Sequence, residues 1–274
     1  MKKYELTAEF IEKWGKKLFR IKALISFGSV EVGELGGYVE KEDNLAQTGN
    51  AWVYGNARVY GNARVYGDAE VSGNAEVSGN ARVYGNARVY GNAEVSGNAW
   101  VYGDARVSGN ARVSGNAEVS GNARVYGNAW VYGDAEVSGN ARVSGNAEVY
   151  GNAWVYGDAE VYGNARVSGN ARVSGNARVS GNAEVSGNAW VSGNARVSGN
   201  ADYLLIGRIG SRFGFTTFFK NKEKGITVSC GCFLGTIAEF RAKVTDTHGD
   251  NKHAKMYNMA ADMAELQILG EEDE

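Results

Sequence analysis

The middle of the chain alternates apolar and polar residues on a strict six-residue period. From Ala51 to Asn200 the unit Ala-x-Val-y-Gly-(Asn/Asp) occurs 25 times in succession without an insertion. Alanine and valine are two positions apart, so in an extended chain both side chains point to one face while x and y point to the other. The pattern predicts a short strand in every unit, with one apolar and one polar face.

The last two residues of each unit predict a corner. Glycine accepts a positive φ freely, and the asparagine or aspartate that follows belongs to the residue types most tolerant of that region. A corner every six residues makes a polygonal coil instead of a flat sheet. A helix is excluded because glycine at every sixth position would cost about 1 kcal/mol at each occurrence.

The N-terminal residues are not repetitive, and their pattern predicts a cap that closes the open edge of the first coil. The predicted elements are a helix over Leu6–Trp14 capped by Thr7, a strand over Leu18–Phe27, and the start of a first irregular coil at Gly33–Val39.

The C-terminal residues predict a compact unit of strands followed by helices. Three strands are expected, over Tyr203–Ile209, Phe213–Phe219 and Gly225–Cys230. Thr236 and Glu239 form a capping box that opens a helix ending near Gly249. A second helix is expected from about residue 251 to 266, with an apolar face formed by Met256, Met259, Ala260 and Met263, and the acidic residues 271–274 should be solvated.

Composition and charge narrow the range of partners. The chain has 39 glycines and no proline, 22% charged residues and a formal net charge of -2, so binding driven by overall charge is not indicated. Two cysteines rule out a disulfide scaffold. No apolar run approaches the ~18 residues of a membrane-spanning helix, and the charged N-terminus has no apolar signal-peptide core. We therefore expect a cytoplasmic protein that does not bind membranes.

Through all 25 units an aliphatic residue is followed four positions later by a small one, as Val53 is by Ala57. This spacing resembles the hexapeptide-repeat proteins that form left-handed parallel β-helices. The resemblance implies that three hexapeptides make one triangular coil of 18 residues, so the repeats would stack as about eight coils into a prism ~40 Å long. It implies a mostly β protein with an N-terminal cap and first irregular coil (1–44), a β-helix (45–202) and a small α+β C-terminal domain (203–274).

Both ends add to the resemblance. Gly36-Gly37-Tyr38-Val39, the repeats, and the C-terminal Cys230-Gly231-Cys232-Phe233 resemble uncharacterised hexapeptide-repeat proteins of bacteria and their phages and prophages. That resemblance implies a phage- or prophage-borne protein that would act on a host component in the host cytoplasm. Such β-helices commonly assemble along the prism axis, so self-association is expected, with a trimer as the first hypothesis.

Enzymes of this fold depend on histidine. The acyltransferases that the repeat resembles use a histidine in or beside the coils and an extruded loop, and the carbonic anhydrases need three histidine ligands for each zinc. The coils here contain neither a histidine nor an insertion, and the chain has only His248 and His253. A non-enzymatic protein with no catalytic residue is therefore favoured, and an acyltransferase is kept as an alternative.

The two histidines and two cysteines come near a zinc pattern. Cys230-x-Cys232 is followed by His248-x4-His253, but the cysteine pair is one residue too close for the usual knuckle. On a strand both cysteines would share one face, which suits a buried apolar pair equally well. No cofactor is favoured, and these four residues stay candidates for zinc.

With 18 residues in a coil, the x positions stack in three columns, and so do the y positions. One x column brings together Arg88, Arg106, Arg124 and Arg142, beside a y column in which Tyr90 and Tyr126 alternate with serines. Four cations ~5 Å apart, flanked by aromatic rings, could bind phosphates while stacking bases, which predicts an anionic nucleotide or nucleic acid as ligand. The alternative is a ladder that only stabilises stacked strands. Another column mixes signs, as at Arg58 and Glu76, and predicts salt bridges between coils.

Five tryptophans also occupy x positions, and we predict that all lie outside the core: Trp52, Trp100, Trp130, Trp154 and Trp190. Exposed tryptophan is costly unless it packs against a partner, so Trp100, Trp130 and Trp154 are the candidate partner-facing residues. The sequence therefore predicts a non-enzymatic binding or interaction protein, a rigid scaffold that displays columns of arginine, tyrosine and tryptophan. Its partner would be a protein, another copy of itself, or an anionic ligand that it sequesters.

Overall fold

The computed structural model describes residues 1–270; the acidic residues 271–274, predicted to be solvated, lie outside the described part of the chain. Three strands precede the repeats: β1 (Tyr4–Lys13), β2 (Lys16–Ala23) and β3 (Leu35–Val39). Each hexapeptide then contributes one two-residue strand, formed by the x residue and the valine. These strands run at six-residue intervals from β4 (Trp52–Val53) to β28 (Arg196–Val197).

Strands three units apart pair in parallel, so the repeats wind into a solenoid with three sheets, as predicted. It has about nine turns where the repeats alone predicted about eight, and β3 adds a strand ahead of β5. We call the sheet β4-β7-β10 to β28 the arginine face, the sheet β5-β8-β11 to β26 the mixed face, and the sheet β6-β9-β12 to β27 the tryptophan face. Each coil bonds to the next through its backbone, as where the Arg88 N–H donates to the Ala105 carbonyl at 2.9 Å and the Tyr90 N–H to that of Val107 at 3.0 Å.

The alanine and valine of every unit fill the interior. None of these side chains is more than 1% exposed, and together they form one continuous cluster along the solenoid. The two-residue spacing places both on the inner face, so the periodicity of the sequence alone builds this core.

The corners depend on glycine in two ways. The repeat glycines from Gly55 to Gly193 have φ between 60° and 74°, whereas no asparagine or aspartate in residues 1–270 has a positive φ. A Cβ on Gly97 would also lie 2.9 Å from the backbone N and O of Gly115 in the next coil. The asparagines have another role: their side-chain amides hydrogen-bond from coil to coil, as where Asn98 Nδ2 donates to Asn116 Oδ1 at 2.9 Å.

The predicted N-terminal helix is wrong, because Leu6–Trp14 belongs mainly to strand β1. Trp14 (φ 52°) and Gly15 (φ 73°) make a tight turn, after which β1 pairs antiparallel with β2. β2 pairs with β3, which in turn pairs in parallel with β5 and so joins the hairpin to the mixed face. Backbone pairing with a sheet edge outweighs the helical spacing, and Thr7 caps nothing but bonds locally to Glu9.

One predicted surface residue is also corrected here. Trp52 is fully buried at the start of the solenoid, where its ring meets Tyr4 (6.1 Å between centroids) and Phe27 (5.4 Å) edge to face. Lys3 is buried beside it, with Nζ donating to the Ala51 carbonyl at 2.9 Å. Burial lowers the pKa of Lys3 to about 8. The N-terminal strands therefore cover a tryptophan that the repeat pattern places outside.

The C-terminal unit is an antiparallel sheet with two helices. Its elements are β29 (Tyr203–Ile209), β30 (Gly214–Lys220), β31 (Ile226–Cys230), β32 (Phe233–Thr236), α1 (Ile237–His248) and α2 (Lys252–Leu269). The three predicted strands and the capping box are present; β32 was not predicted. Phe219 joins the solenoid core, and the Lys222 N–H donates to the Asn194 carbonyl at 3.1 Å, so this unit covers the last coil.

Of the predicted apolar face of the second helix only Ala260 is buried, and the prediction is wrong for the three methionines. Small residues of α2 pack against the sheet, with Ala254, Ala261 and Ala264 buried, whereas Met259 and Met263 are exposed. Alanine allows close approach of the helix to the sheet, and the helix has turned its large side chains away.

Candidate functional site

The arginine face carries the four predicted arginines in direct register. Arg106 pairs with Arg88 on one side and with Arg124 on the other, and Arg124 pairs with Arg142. Neighbouring parallel strands are about 4.8 Å apart, so the four side chains leave the sheet at that spacing. The predicted column is therefore continuous.

The two middle arginines have no carboxylate partner. At the ends of the column, Arg88 Nε lies 3.3 Å from Glu70, and Arg142 Nη1 lies 3.3 Å from Glu160. Among the described residues, neither Arg106 nor Arg124 forms an ion pair, and Asp104 in the adjoining corner instead accepts a hydrogen bond from Asn86. Positive charge is therefore unneutralised at the centre of the face and neutralised at its borders.

The tyrosines beside this column leave an open position between them. Where tyrosines occupy consecutive coils they stack, as Tyr66 and Tyr84 do with centroids 4.8 Å apart and planes within 2°. On the arginine face Ser108 stands between Tyr90 and Tyr126, which are therefore two coils, or about 10 Å, apart. The three residues line an open cavity of ≈ 290 Å³ together with Arg106, Arg124 and Arg142. We call this cavity the tyrosine slot.

The slot tyrosines differ from those tyrosines on the other faces whose hydroxyls bond to a glutamate. Tyr102, on the tryptophan face, donates its hydroxyl to Glu118 at 3.2 Å, and burial together with Glu118 raises its pKa. Within residues 1–270 neither Tyr90 nor Tyr126 has a side-chain hydrogen-bond partner, and they are 39% and 40% exposed. Their rings are thus available on the sides that face the slot.

The mixed face has a different electrostatic pattern. Arg58 Nη1 lies 3.0 Å from Glu76, and Arg112 Nε lies 3.4 Å from Glu94. The predicted salt bridges between coils are therefore present on this face. Six of the twelve arginines of the repeats form an ion pair with a glutamate among the described residues, and Arg106 and Arg124 are not among them.

The predicted partner-facing tryptophans are partly covered from within the chain. The Arg82 guanidinium lies 5.1 Å from the Trp100 ring centroid, Arg112 lies 5.1 Å from Trp130, and Arg172 lies 4.9 Å from Trp154. Such stacking removes part of the cost of an exposed tryptophan, because the cation covers one face of the ring.

Comparison with known families agrees with the geometry. The family model described as YdcK Beta solenoid repeat matches ten segments, which fall into four groups between residues 51 and 193: 51–67, 57–73, 75–89, 81–97, 87–103, 105–119, 117–133, 159–175, 171–187 and 177–193. The chain is a β-solenoid repeat protein. A search of curated proteins finds no match to it.

In this β-solenoid protein, the cysteines and histidines lie in the C-terminal unit and are only partly brought together. Cys230 and His248 line a cavity of ≈ 110 Å³ with Tyr257, and the His248 ring stacks on Tyr257 at 5.8 Å. Burial, with a contribution from Cys230, raises the pKa of Tyr257. Cys232 is exposed in the following turn, and the His253 ring lies 5.8 Å from that of His248.

Over residues 1–270, no group of three or more His, Cys, Asp or Glu side chains is arranged to hold a metal ion. In the same part of the solenoid protein, no helix is long and apolar enough to cross a membrane.

The arginines and tyrosines of this candidate site were predicted from the sequence, whereas Ser108 was noted only as part of the alternation and given no role. The signal was present, because tyrosine and serine alternate along the y column from Tyr54 to Tyr162. What the alternation means physically depends on the stacking distance between coils, which sets the width of the gap that one serine leaves.

Proposed function

We propose that this protein is a non-enzymatic scaffold that binds an anionic ligand carrying planar aromatic rings, a nucleotide or a single-stranded nucleic acid, on its arginine face. The observation that carries the proposal is the tyrosine slot beside two arginines without carboxylate partners. The absence of histidine from the coils supports a binding role over acyl transfer, because the acyltransferases of this fold use a histidine there.

The spacing of the slot suits one aromatic ring. A ring placed midway between Tyr90 and Tyr126 would lie about 5 Å from each, within the range of aromatic stacking. Stacked tyrosines on consecutive coils already have this separation, with Tyr84 and Tyr102 5.0 Å apart. The inserted ring would therefore take the place of the tyrosine that Ser108 replaces.

The arginines supply the second half of the recognition. A guanidinium presents a planar fork of donors that matches the oxygens of a phosphate. Arg106 and Arg124 flank the slot on neighbouring strands, so a base in the slot would keep its phosphate within reach of both. Stacking of a base on an aromatic side chain contributes roughly 1–3 kcal/mol, and each phosphate contact adds a salt-dependent term.

A protein-facing role for the tryptophan face is the second candidate function. It is supported by Trp154 and Trp190, which keep exposed indole surface on one sheet. The arginine stacked on Trp154 weakens this support, since it already shields one face of that ring. We therefore rank the arginine face first.

The first test compares ligands of different chemistry. Binding of a short labelled oligothymidylate, ATP, tripolyphosphate and acyl-CoA is measured by fluorescence anisotropy or thermal shift at several salt concentrations. We expect the oligothymidylate or ATP to bind with an affinity that falls as salt rises, and tripolyphosphate, which has no ring, to bind at least tenfold more weakly. Oligothymidylate alone would identify a nucleic acid, and ATP alone a nucleotide. Stabilisation by acyl-CoA alone would favour the acyltransferase.

The second test separates the arginines from the slot. Arg106→Glu with Arg124→Glu should weaken binding at least tenfold, while Arg64→Glu with Arg172→Glu on the tryptophan face makes the same change in net charge and should have little effect. Ser108→Tyr should close the slot and abolish ring insertion without disturbing the coils, since tyrosine is common at the y position. Ser96→Tyr on the mixed face is its control.

The outcomes distinguish the two halves of the proposal. Unchanged affinity in the arginine double variant would refute binding on this face. Loss of affinity in that variant but not in Ser108→Tyr would refute ring insertion and leave an electrostatic site for anions.

A further inference from the structure

The outer side of α2 is a stripe of large apolar side chains. Met256, Met259, Met263 and Leu266 are 40%, 65%, 56% and 78% exposed. Their spacing of three, four and three residues places them on one side of the helix, and Leu269 extends the row. We call these five residues the methionine seam. It lies outside the arginine face and takes no part in the proposed ligand site.

The exposure of the methionine seam does not result from poor packing of α2. The opposite side of α2 is buried through Ala254, Ala261, Ala264 and Ile268, which contact the C-terminal sheet and α1. The helix is well capped, since Asn251 Oδ1 accepts from the backbone N–H groups of His253 and Ala254. A stable helix thus holds its largest apolar side chains towards the solvent. Covering these side chains would be favourable, because it removes apolar surface from water.

We propose that the methionine seam pairs with the methionine seam of a second copy of this chain, the two α2 helices running antiparallel. The alternating three- and four-residue spacing is the pattern by which two helices pack side by side along their length. Paired seams would remove from water roughly 500 Å² of each copy, at about 200 Å² for a fully exposed large apolar side chain. The total of about 1,000 Å² reaches the lower size of a specific interface.

The charges on α2 select the antiparallel orientation. Its first turn carries the exposed Lys252 and Lys255. Asp262 and Glu265 lie towards its end, where the two carboxylates share one cation, Arg241 at 2.7 Å from each, and so keep a net negative charge. A parallel pair would set like charges beside each other. An antiparallel pair sets the basic start of one helix beside the acidic end of the other and also aligns the helix dipoles favourably.

The oligomeric state of the full chain tests the pairing. Sedimentation equilibrium over about a hundredfold range of protein concentration should show a reversible monomer–dimer equilibrium. Met259→Glu with Met263→Glu should raise the dimer dissociation constant by about a hundredfold, because carboxylates would be forced into the apolar interface. Met259→Ala with Met263→Ala should raise it by about tenfold without adding charge. Leu234→Glu, at another exposed apolar residue of the same unit, is the matched control and should leave it unchanged.

Cross-linking tests the orientation. In a chain with Cys230 and Cys232 replaced by serine, Met259→Cys and Met263→Cys are introduced together and oxidised. Antiparallel helices bring position 259 of one copy near position 263 of the other, so mass spectrometry should find the 259–263 cross-link between copies. Parallel helices would give 259–259 and 263–263 links.

Three results would overturn the proposal: a monomer throughout the concentration range, a dimer that both methionine double variants leave intact, or 259–259 links in place of 259–263. Because the arginine and slot variants lie on the solenoid, a failure of ligand binding would leave this result unaffected.

Discussion

In the coils, the aliphatic alanine and valine of each hexapeptide lie inside and the charged side chains outside, whereas α2 of the C-terminal unit buries its alanines and exposes its methionines. Each coil contacts mainly its two neighbours, so every coil can bury its apolar side chains with the same repeated hexapeptide. The C-terminal unit has no such repetition. Its elements face the last coil on one side and solvent on the other, and each residue has a particular neighbour.

The comparison shows where specificity can arise in such a protein. A repeat that is uniform in its core varies only at x and y, so a site on the coils must come from which residues neighbour one another in a column. Arg106, Arg124 and the serine between two tyrosines form such a neighbourhood. In the C-terminal unit, specificity comes from irregular packing, of which the methionine seam is the clearest surface.

The largest effect should come from removing the C-terminal unit, and deleting one coil of the solenoid is the comparison. Truncation after Asp202 uncovers the last coil and removes Phe219 from the core, so we expect an insoluble or aggregating protein. Deletion of one full coil, Ala105–Asn122, preserves the register, and the protein should stay soluble with a β-type circular dichroism spectrum. The shortened protein should lose ligand binding, because Tyr90 and Tyr126 then become stacking neighbours. A folded truncation would show that the C-terminal unit is not needed to close the solenoid.

The second prediction compares Gly97, at a corner inside the solenoid, with Gly193, at a corner near its C-terminal end. Gly97→Ala combines a positive φ with a Cβ 2.9 Å from the Gly115 backbone, and we expect a loss of about 3 kcal/mol in unfolding free energy. Gly193→Ala has a similar φ but no atom within 4 Å of the new Cβ, so only about 1 kcal/mol should be lost. Urea denaturation measures both. Equal losses would mean that contact between coils contributes nothing to the requirement for glycine.

The third prediction concerns the N-terminal strands. Lys3 has a pKa of about 8 in the folded protein and 10.5 as a free side chain, so between these values the unfolded chain binds more protons and stability rises with pH. We expect about 1 kcal/mol of added stability from pH 7 to pH 9.5, less than the full shift implies because Lys3 keeps hydrogen bonds to carbonyls. Thermal unfolding at the two pH values measures the rise, which Lys3→Met should remove. A rise of the same size in that variant would assign it to other groups.

The smallest effect is expected in the asparagine ladder. Asn98→Asp keeps the acceptor for Asn80 but loses the donor to Asn116, and we expect a loss of about 0.5 kcal/mol because these side chains are exposed. Aspartate already stands at four equivalent corners, where it accepts and does not donate, as Asp134 does from Asn116. Asn98→Ala should cost about 1 kcal/mol, since both bonds are lost. Chemical denaturation of the two variants tests the order.

The fold of the repeats was predictable because the same residue types recur at the same spacing in every hexapeptide. The spacing of alanine and valine places the core, glycine places the corner, and the 18-residue coil places the arginine column. The N-terminal residues carry no such redundancy. Helical spacing over Leu6–Trp14 competes with a sheet edge that needs a partner, and the pairing of β1 with β2 prevails.

The sequence by itself determined the parallel solenoid, its three columns of x residues and the neighbourhood of Arg106 and Arg124, because a strict period fixes which residues become neighbours one coil apart. Only the tertiary structure decided the contacts of the non-repetitive ends, both with the solenoid and within the C-terminal unit. Trp52 is buried because the N-terminal strands lie over it, and Met259 is exposed because the alanines of α2 allow the closer contact with the sheet. Such contacts join residues that are distant in sequence and follow no period, so they depend on the shapes of the surfaces that meet.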